Sequence, residues 1–165
     1  MTNPEIEPEP TVAVRRATGL DGDAIARMVE RCSARTRQRR FLGAAAAIPV
    51  SYLERICAPP PGDLHLVAVA GSRVVALGSR ADDELGLLVE DEWQRAGLGR
   101  LLLRRLLEHS PAPLVAEVGD DNAPMLAWLR RLAPRKVAPQ RFGWRVVLDP
   151  AASLAALGAQ LREAA

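Results

Sequence analysis

At 165 residues the chain has room for one domain with a sizeable core, and two domains would be cramped. Its 48% hydrophobic and 25% charged content is that of an ordinary globular protein and excludes overall disorder. The formal charge is 22 − 20 = +2, and with Glu5, Glu7 and Glu9 of the proline-punctuated start set aside the body carries 22 − 17 = +5. That balance suits anionic small ligands; no basic helix interleaved with aromatics is present, so nucleic acid is not an expected partner. Residues 1–11 form an acidic tail with too little apolar surface to pack, and it is expected to be disordered. The longest apolar run, Phe41 to Val50, is too short and alanine-rich to span a bilayer, and the acidic N-terminus is unlike a signal peptide. No membrane partner is expected, and a cytoplasmic location follows by default.

Val12 to Arg16 alternates as a first strand, and Leu20-Asp21-Gly22-Asp23 offers a cap for a helix whose apolar face is Ala24, Ile25, Met28 and Val29. Beyond Ser33, the arginines at 35, 37, 39 and 40 read as a solvated basic loop or as a substrate-side or phosphate-side patch, the solvated loop being the simpler reading. Pro49 opens a second short helix with Tyr52, Leu53 and Ile56, which Ala58-Pro59-Pro60-Pro61-Gly62 ends. Leu64 to Ala70 and Val74 to Ala81 then read as a hairpin around Gly71-Ser72-Arg73. Glu84 to Val89 is a buried strand, followed by Gln94-Arg95-Ala96-Gly97-Leu98-Gly99-Arg100 and a leucine run at helical spacing. Leu114 to Val118 is a strand, and Asp120-Asp121-Asn122 caps a helix facing inward with Met125, Leu126, Leu129 and Leu132. Pro134 to Pro139 breaks that helix, Phe142 to Leu148 is a last strand, and a C-terminal helix fills residues 149–165. Cys32 and Cys57 lack metal-ligand spacing and His65 and His109 stand alone, so the thiols are expected to be reduced and no metal is expected.

The turn between the fourth strand and the leucine helix carries the chemistry. Without Cβ atoms at Gly97 and Gly99, backbone N–H groups can approach an anion at the positive end of a helix dipole, and Arg95 and Arg100 add fixed charge. A diphosphate is the natural ligand. The chain has no G-x-x-x-x-G-K-S/T and no G-x-G-x-x-G after an N-terminal strand, so nucleotide-hydrolysing and dinucleotide folds are set aside. The Q-x-x-G-x-G at Gln94 to Gly99, preceded by Val89, Asp91 and Trp93, resembles the acetyl-CoA loop of the GNAT superfamily of N-acetyltransferases.

That resemblance implies an α/β (α+β) fold over residues 12–148, the GNAT acyl-CoA N-acyltransferase fold with a mixed central sheet flanked by helices. Acetyl-CoA would be the co-substrate and a primary amine the acceptor. Leu87, Leu88 and Val89 would bind pantetheine through their backbone, Gln94, Arg95, Ala96, Gly97, Leu98, Gly99 and Arg100 would cradle the diphosphate, and Asn122 would touch the pantetheine arm. The run Ser33 to Phe41 and the strand Asp83 to Gln94 are also similar to the acetyltransferase domain of bacterial Pat-type protein-lysine acetyltransferases, which implies a protein lysine as acceptor. A small amine such as an antibiotic, polyamine or amino acid is the other enzymatic reading, and a catalytically weak acyl-CoA-binding module is the third. The oligomeric state stays open, a homodimer included.

Acetyl transfer needs a neutral amine, and a lysine ammonium has a pKa near ~10.4, so a general base is required. Asp82, Asp83, Glu84, Glu90 and Asp91 are candidates by position. Glu84 is the acid built into the apolar strand, where partial burial would raise its pKa, and it is the expected base. Many GNAT enzymes place a leaving-group tyrosine seven residues after the asparagine; here Leu129 stands there, and Ala133-Pro134-Arg135 replaces the usual G-F.

Overall fold

A computed structural model describes residues 11–42 and 47–163. The expected disordered tail lies outside these residues except for Thr11, as does the middle of the apolar run before Pro49. Seven strands and six α-helices follow in the order β1 (Val12–Arg16), α1 (Gly22–Arg31), α2 (Ala34–Phe41), α3 (Val50–Cys57), β2 (Leu64–Ala70), β3 (Arg73–Ala81), β4 (Glu84–Val89), α4 (Leu98–Glu108), β5 (Leu114–Gly119), α5 (Ala123–Arg130), β6 (Lys136–Gln140), β7 (Gly143–Leu148) and α6 (Pro150–Glu163). They form one mixed sheet in the order β1-β2-β3-β4-β5-β7-β6. Each pair is antiparallel except β4 and β5.

The sheet has a core on each face because its central strands are apolar on both sides, β2 running Leu-His-Leu-Val-Ala-Val-Ala. One face packs Leu66, Ala68 and Ala76 against Leu102, Leu103, Leu106 and Leu107 of α4, with Leu129, Leu132 and Leu157 completing the cluster. Each of those fully buried α4 leucines contributes roughly 2 kcal/mol. The opposite face packs Val67, Val74, Leu77 and Leu88 against Ile25, Met28 and Val29 of α1 and Ile56 of α3.

Two stretches depart from expectation. The arginine run after Ser33 is helix α2, not a solvated loop: Ser33 caps it by accepting from the Thr36 N–H at 3.2 Å, and the helix lies on β4 with no fully buried residue of its own. A polar helix held by its cap and by side-chain bonds gives no apolar periodicity to find. The segment from Pro134 to Pro139, expected as a break, holds β6, an edge strand paired with β7; Pro139 is tolerated at an edge because it need not donate to a second neighbour. Phe142, expected to begin the last strand, sits at the hairpin tip and is 75% exposed.

Candidate active site

β4 and β5 are in register at Glu84 and Val115 alone, and the Val115 N–H donates to the Asp83 carbonyl at 2.7 Å. Beyond that point the strands part, because α4 leaves the end of β4 and α5 leaves the end of β5 on the same face and both must pack there. The edge of β4 carrying Leu87, Leu88 and Val89 is left open toward β5. A cleft of about 550 Å3 occupies the gap, floored by those residues and closed by Gln94 to Arg100 at one end and by Asn122 and Trp128 on the far wall.

The glycine turn is shaped for this role by its backbone. Gly97 caps α4 at φ 84°, a left-handed conformation that side chains resist, and no heavy atom lies within 4 Å of where its Cβ would stand. Arg95 also has positive φ, at 65°. Leu98 is buried as the first anchor of α4, while Gln94, Arg95, Ala96 and Gly97 are exposed around the helix N-terminus. Gly97, Gly99 and Arg100 of that helix end line the cleft together with Arg39, Arg40 and Arg95, where a helix N-terminus leaves its first N–H groups without intrahelical partners.

The turn is tied to α2. Asp91 accepts from the Ser33 N–H at 2.8 Å, from Ser33 Oγ at 2.7 Å and from Thr36 Oγ1 at 2.9 Å. Partial burial works against its charge, but these hydrogen bonds outweigh burial and hold its carboxyl below the usual range. Gln94 Nε2 bridges the Val89 carbonyl at 3.1 Å and Thr36 Oγ1 at 3.2 Å. Glu90 is buried between Arg31, at 2.9 Å, and Arg73; burial disfavours its charge, the two guanidinium groups outweigh that, and its carboxyl is also held below its ordinary value.

Those partners sort the candidate bases. Glu90 and Asp91 are committed to structure, and Asp82 pairs with Arg55 at 2.8 Å. Asp83 lines neither cleft. Glu84 forms no ion pair among the described residues and lines a second, smaller cavity of about 160 Å3 at the paired end of the β4–β5 gap. The partial burial expected of Glu84 is not there: it is exposed at the start of β4. Leu129 closes the back of this cavity, 1% exposed, with no ionisable group at that point.

Glu117 was not anticipated from the sequence, and the arginine run takes the patch reading rather than that of a solvated loop. Glu117 of β5 also lines the smaller cavity, paired with Arg145 at 2.8 Å; it is a lone acid in an apolar strand, the same signal that singled out Glu84. Arg39 and Arg40 of α2 line both cavities. Arg39 binds Asp121 at 3.1 Å, next to Asn122, whose side chain makes no capping bond to α5. His65 is buried and lines neither cavity; burial first of all holds it below the ordinary imidazole value. Both cysteines are free, and no cluster of metal-ligand residues occurs among the described residues. No described helix is long and apolar enough to cross a membrane.

No model of a protein family matches the sequence. Over 77 residues the chain is 36% identical to a mycothiol acetyltransferase of Kytococcus sedentarius, a match that covers 46% of this chain and 26% of the relative, so the chain spans about a quarter of that protein. The fold is similar to the GNAT domain of S. lividans PAT, with a TM-score of 0.75 at 18% identity over 83% of this chain and 89% of that one. It is also similar to YncA, a putative acetyltransferase from Salmonella typhimurium solved with its cofactor acetyl-CoA, with a TM-score of 0.63 at 21% identity over 83% and 91% of the two chains. A parted β4–β5 pair beside a glycine turn, on a sheet that overlays these proteins, is conclusive for architecture: the chain has the fold of the GNAT acetyltransferases.

Proposed function

We propose that the chain is an N-acetyltransferase that takes acetyl-CoA as co-substrate and moves its acetyl group to a primary amine by direct attack. The observation that carries the reading is the open β4 edge running straight into the N-terminus of α4. Such an edge offers N–H and C=O groups to the amides of pantetheine, at Leu87, Leu88 and Val89, as a missing strand would. The diphosphate then meets the backbone of Gln94 to Gly99 and the charges of Arg95 and Arg100. Asn122, uncommitted to its helix cap, faces the same arm across the cleft. Glu84 takes the proton from the acceptor ammonium, directly or through one water, at the mouth of the smaller cavity.

For the acceptor, the runs Ser33 to Phe41 and Asp83 to Gln94 and the likeness to the GNAT domain of PAT support a lysine side chain on a protein. The stretch shared with a mycothiol acetyltransferase supports a second reading, a small amine. A cytoplasmic setting goes with either, and a homodimer is compatible with both. Incubation with acetyl-CoA and a lysate of the source cell, read by mass spectrometry alongside a panel of free amines, separates them. New acetyl-lysines are expected; efficient acetylation of free amines alone would give the small-molecule reading, and no acetyl transfer to anything would refute the proposed activity.

A further inference from the structure

The two cavities share five lining residues: Arg39, Arg40, Leu87, Asn122 and Met125. An acyl group handed from a cofactor in the larger cavity to an acceptor in the smaller one must pass that junction. Arg39 is committed to Asp121, and Leu87, Asn122 and Met125 carry no charge. Arg40 pairs with no carboxylate among the described residues. Its acceptor is the Tyr52 hydroxyl, which donates onward to Ser79 Oγ at 2.6 Å, and its buried Nε has no partner.

The placement of Arg40 is built in. Its guanidinium stacks 4.9 Å from the Tyr52 ring and 5.4 Å from the Phe41 ring, and it lies so close over Gly86 that a Cβ there would collide with it. A glycine in the interior of a central strand weakens the strand unless something needs the space. Here the space is filled by a cation held beside Leu87 and Leu88, where the thioester would sit.

We propose that the Arg40 guanidinium carries the negative charge that acyl transfer builds, first on the carbonyl oxygen and then on the departing sulfur. The assignment rests on the acetyl-CoA reading above. Once the ammonium has given a proton to Glu84, the amine lone pair forms the C–N bond while the carbonyl π pair moves to oxygen beside Arg40. Collapse re-forms C=O and breaks C–S, with the bonding pair leaving on sulfur as thiolate. The nitrogen sheds its second proton to water, and the thiolate takes one from water on release. A guanidinium keeps its own protons at any working pH, so it substitutes for a phenol at Leu129 as a counter-charge and not as an acid.

The experiment reads the thiol of bound CoA by its thiolate absorbance across pH, with desulfo-CoA as the blank that cancels Cys32, Cys57 and Tyr52. The other titratable and charged groups around the junction are Glu84 of β4, Glu117 of β5 with its partner Arg145, the Arg39–Asp121 pair, Arg95 and Arg100 of the larger cavity, and His65 of β2, whose charge Arg40 disfavours. They are unchanged in every variant. In the unmutated protein the bound thiol should titrate about one pH unit or more below free CoA. Arg40→Gln should lose that shift and about 10²-fold in kcat, with KM for acetyl-CoA nearly unchanged. Arg40→Lys, which keeps the charge, should retain most of the shift, and Arg40→Met, which keeps the stem against Phe41 and Tyr52, should lose it as Gln does if the Gln variant folds poorly. A bound thiol that titrates alike with and without Arg40 overturns the assignment alone. A chain whose melting temperature ignores CoA overturns the acetyl-transfer reading and this assignment with it.

Discussion

Replacing Asp91 by alanine should loosen the whole cofactor side of the site without touching any group proposed to meet the ligand. Asp91 accepts three hydrogen bonds from Ser33 and Thr36, two from hydroxyls and one from a backbone N–H, and it places negative charge at the start of α2. At about 1 kcal/mol net for each bond, with water recovering part of the loss at this exposed position, Asp91→Ala should cost about 2–3 kcal/mol. For a chain of this size that is a fall of roughly 5–10 °C in Tm. Asp91→Asn keeps one acceptor oxygen, enough for the two hydroxyls, but loses the charge and the oxygen that accepts from the Ser33 N–H, and should cost somewhat less than Asp91→Ala. The sign with pH is fixed by the direction of the shift: the folded carboxyl lies below its unfolded value near ~3.9, so its contribution is complete above that value and is lost as pH falls through the folded one. Urea unfolding at pH 7 and at steps down to pH 3 should therefore show a gap between the unmutated protein and Asp91→Ala that is constant above pH ~5 and closes below pH ~4. A variant within about 0.5 kcal/mol of the parent at pH 7 would refute the claim that this carboxylate holds α2 to the turn.

Acetyl-CoA at a hundredfold excess over Kd should stabilise the fold by about 2.7 kcal/mol, and Gly97→Asp, which sets a charged side chain on a backbone at φ 84°, should abolish the shift; a folded variant with the full shift would displace the diphosphate from this turn. Glu84→Gln should lower kcat/KM by about 10²-fold at neutral pH and remove the rising limb of the pH profile while leaving acetyl-CoA affinity nearly unchanged, and parental kcat/KM in that variant would end the assignment of Glu84 as base.

The parts of this molecule that were legible in sequence are those written in a period or in glycine. The apolar run bounds β4 from Glu84 to Val89, and the leucines from Leu101 to Leu107 mark α4 without fixing its ends, because both elements bury a face against a core. The turn between them was marked by Gly97. Helix α2 was illegible for the opposite reason: its arginines and threonine present no apolar face, and its position depends on Asp91 and Gln94, 55 to 58 residues further along the chain. The smaller cavity was legible only in its arginines, since Arg40, Gly86 and Glu117 come from three elements that the tertiary fold brings together. Type and position single out Glu84 in the sequence but not its exposure, because the cover over a strand's first residue depends on the tertiary fold and leaves no local signal.

Every described ion pair in the fold, the His65–Asp63 contact apart, uses arginine as its cation, from Arg31 and Arg73 around Glu90 to Arg39 on Asp121. The chain's one lysine, Lys136, is exposed at the start of edge strand β6, outside both cavities. A guanidinium is far too weak a nucleophile at neutral pH to be acylated by a thioester, whereas a lysine amine is not. Under the activity proposed above the protein works in the presence of a thioester, and its side chains expose a single amine to it. On that reading its arginine struts, and the arginines that line its clefts, would escape self-modification, and turnover would leave the charges of the proposed site intact.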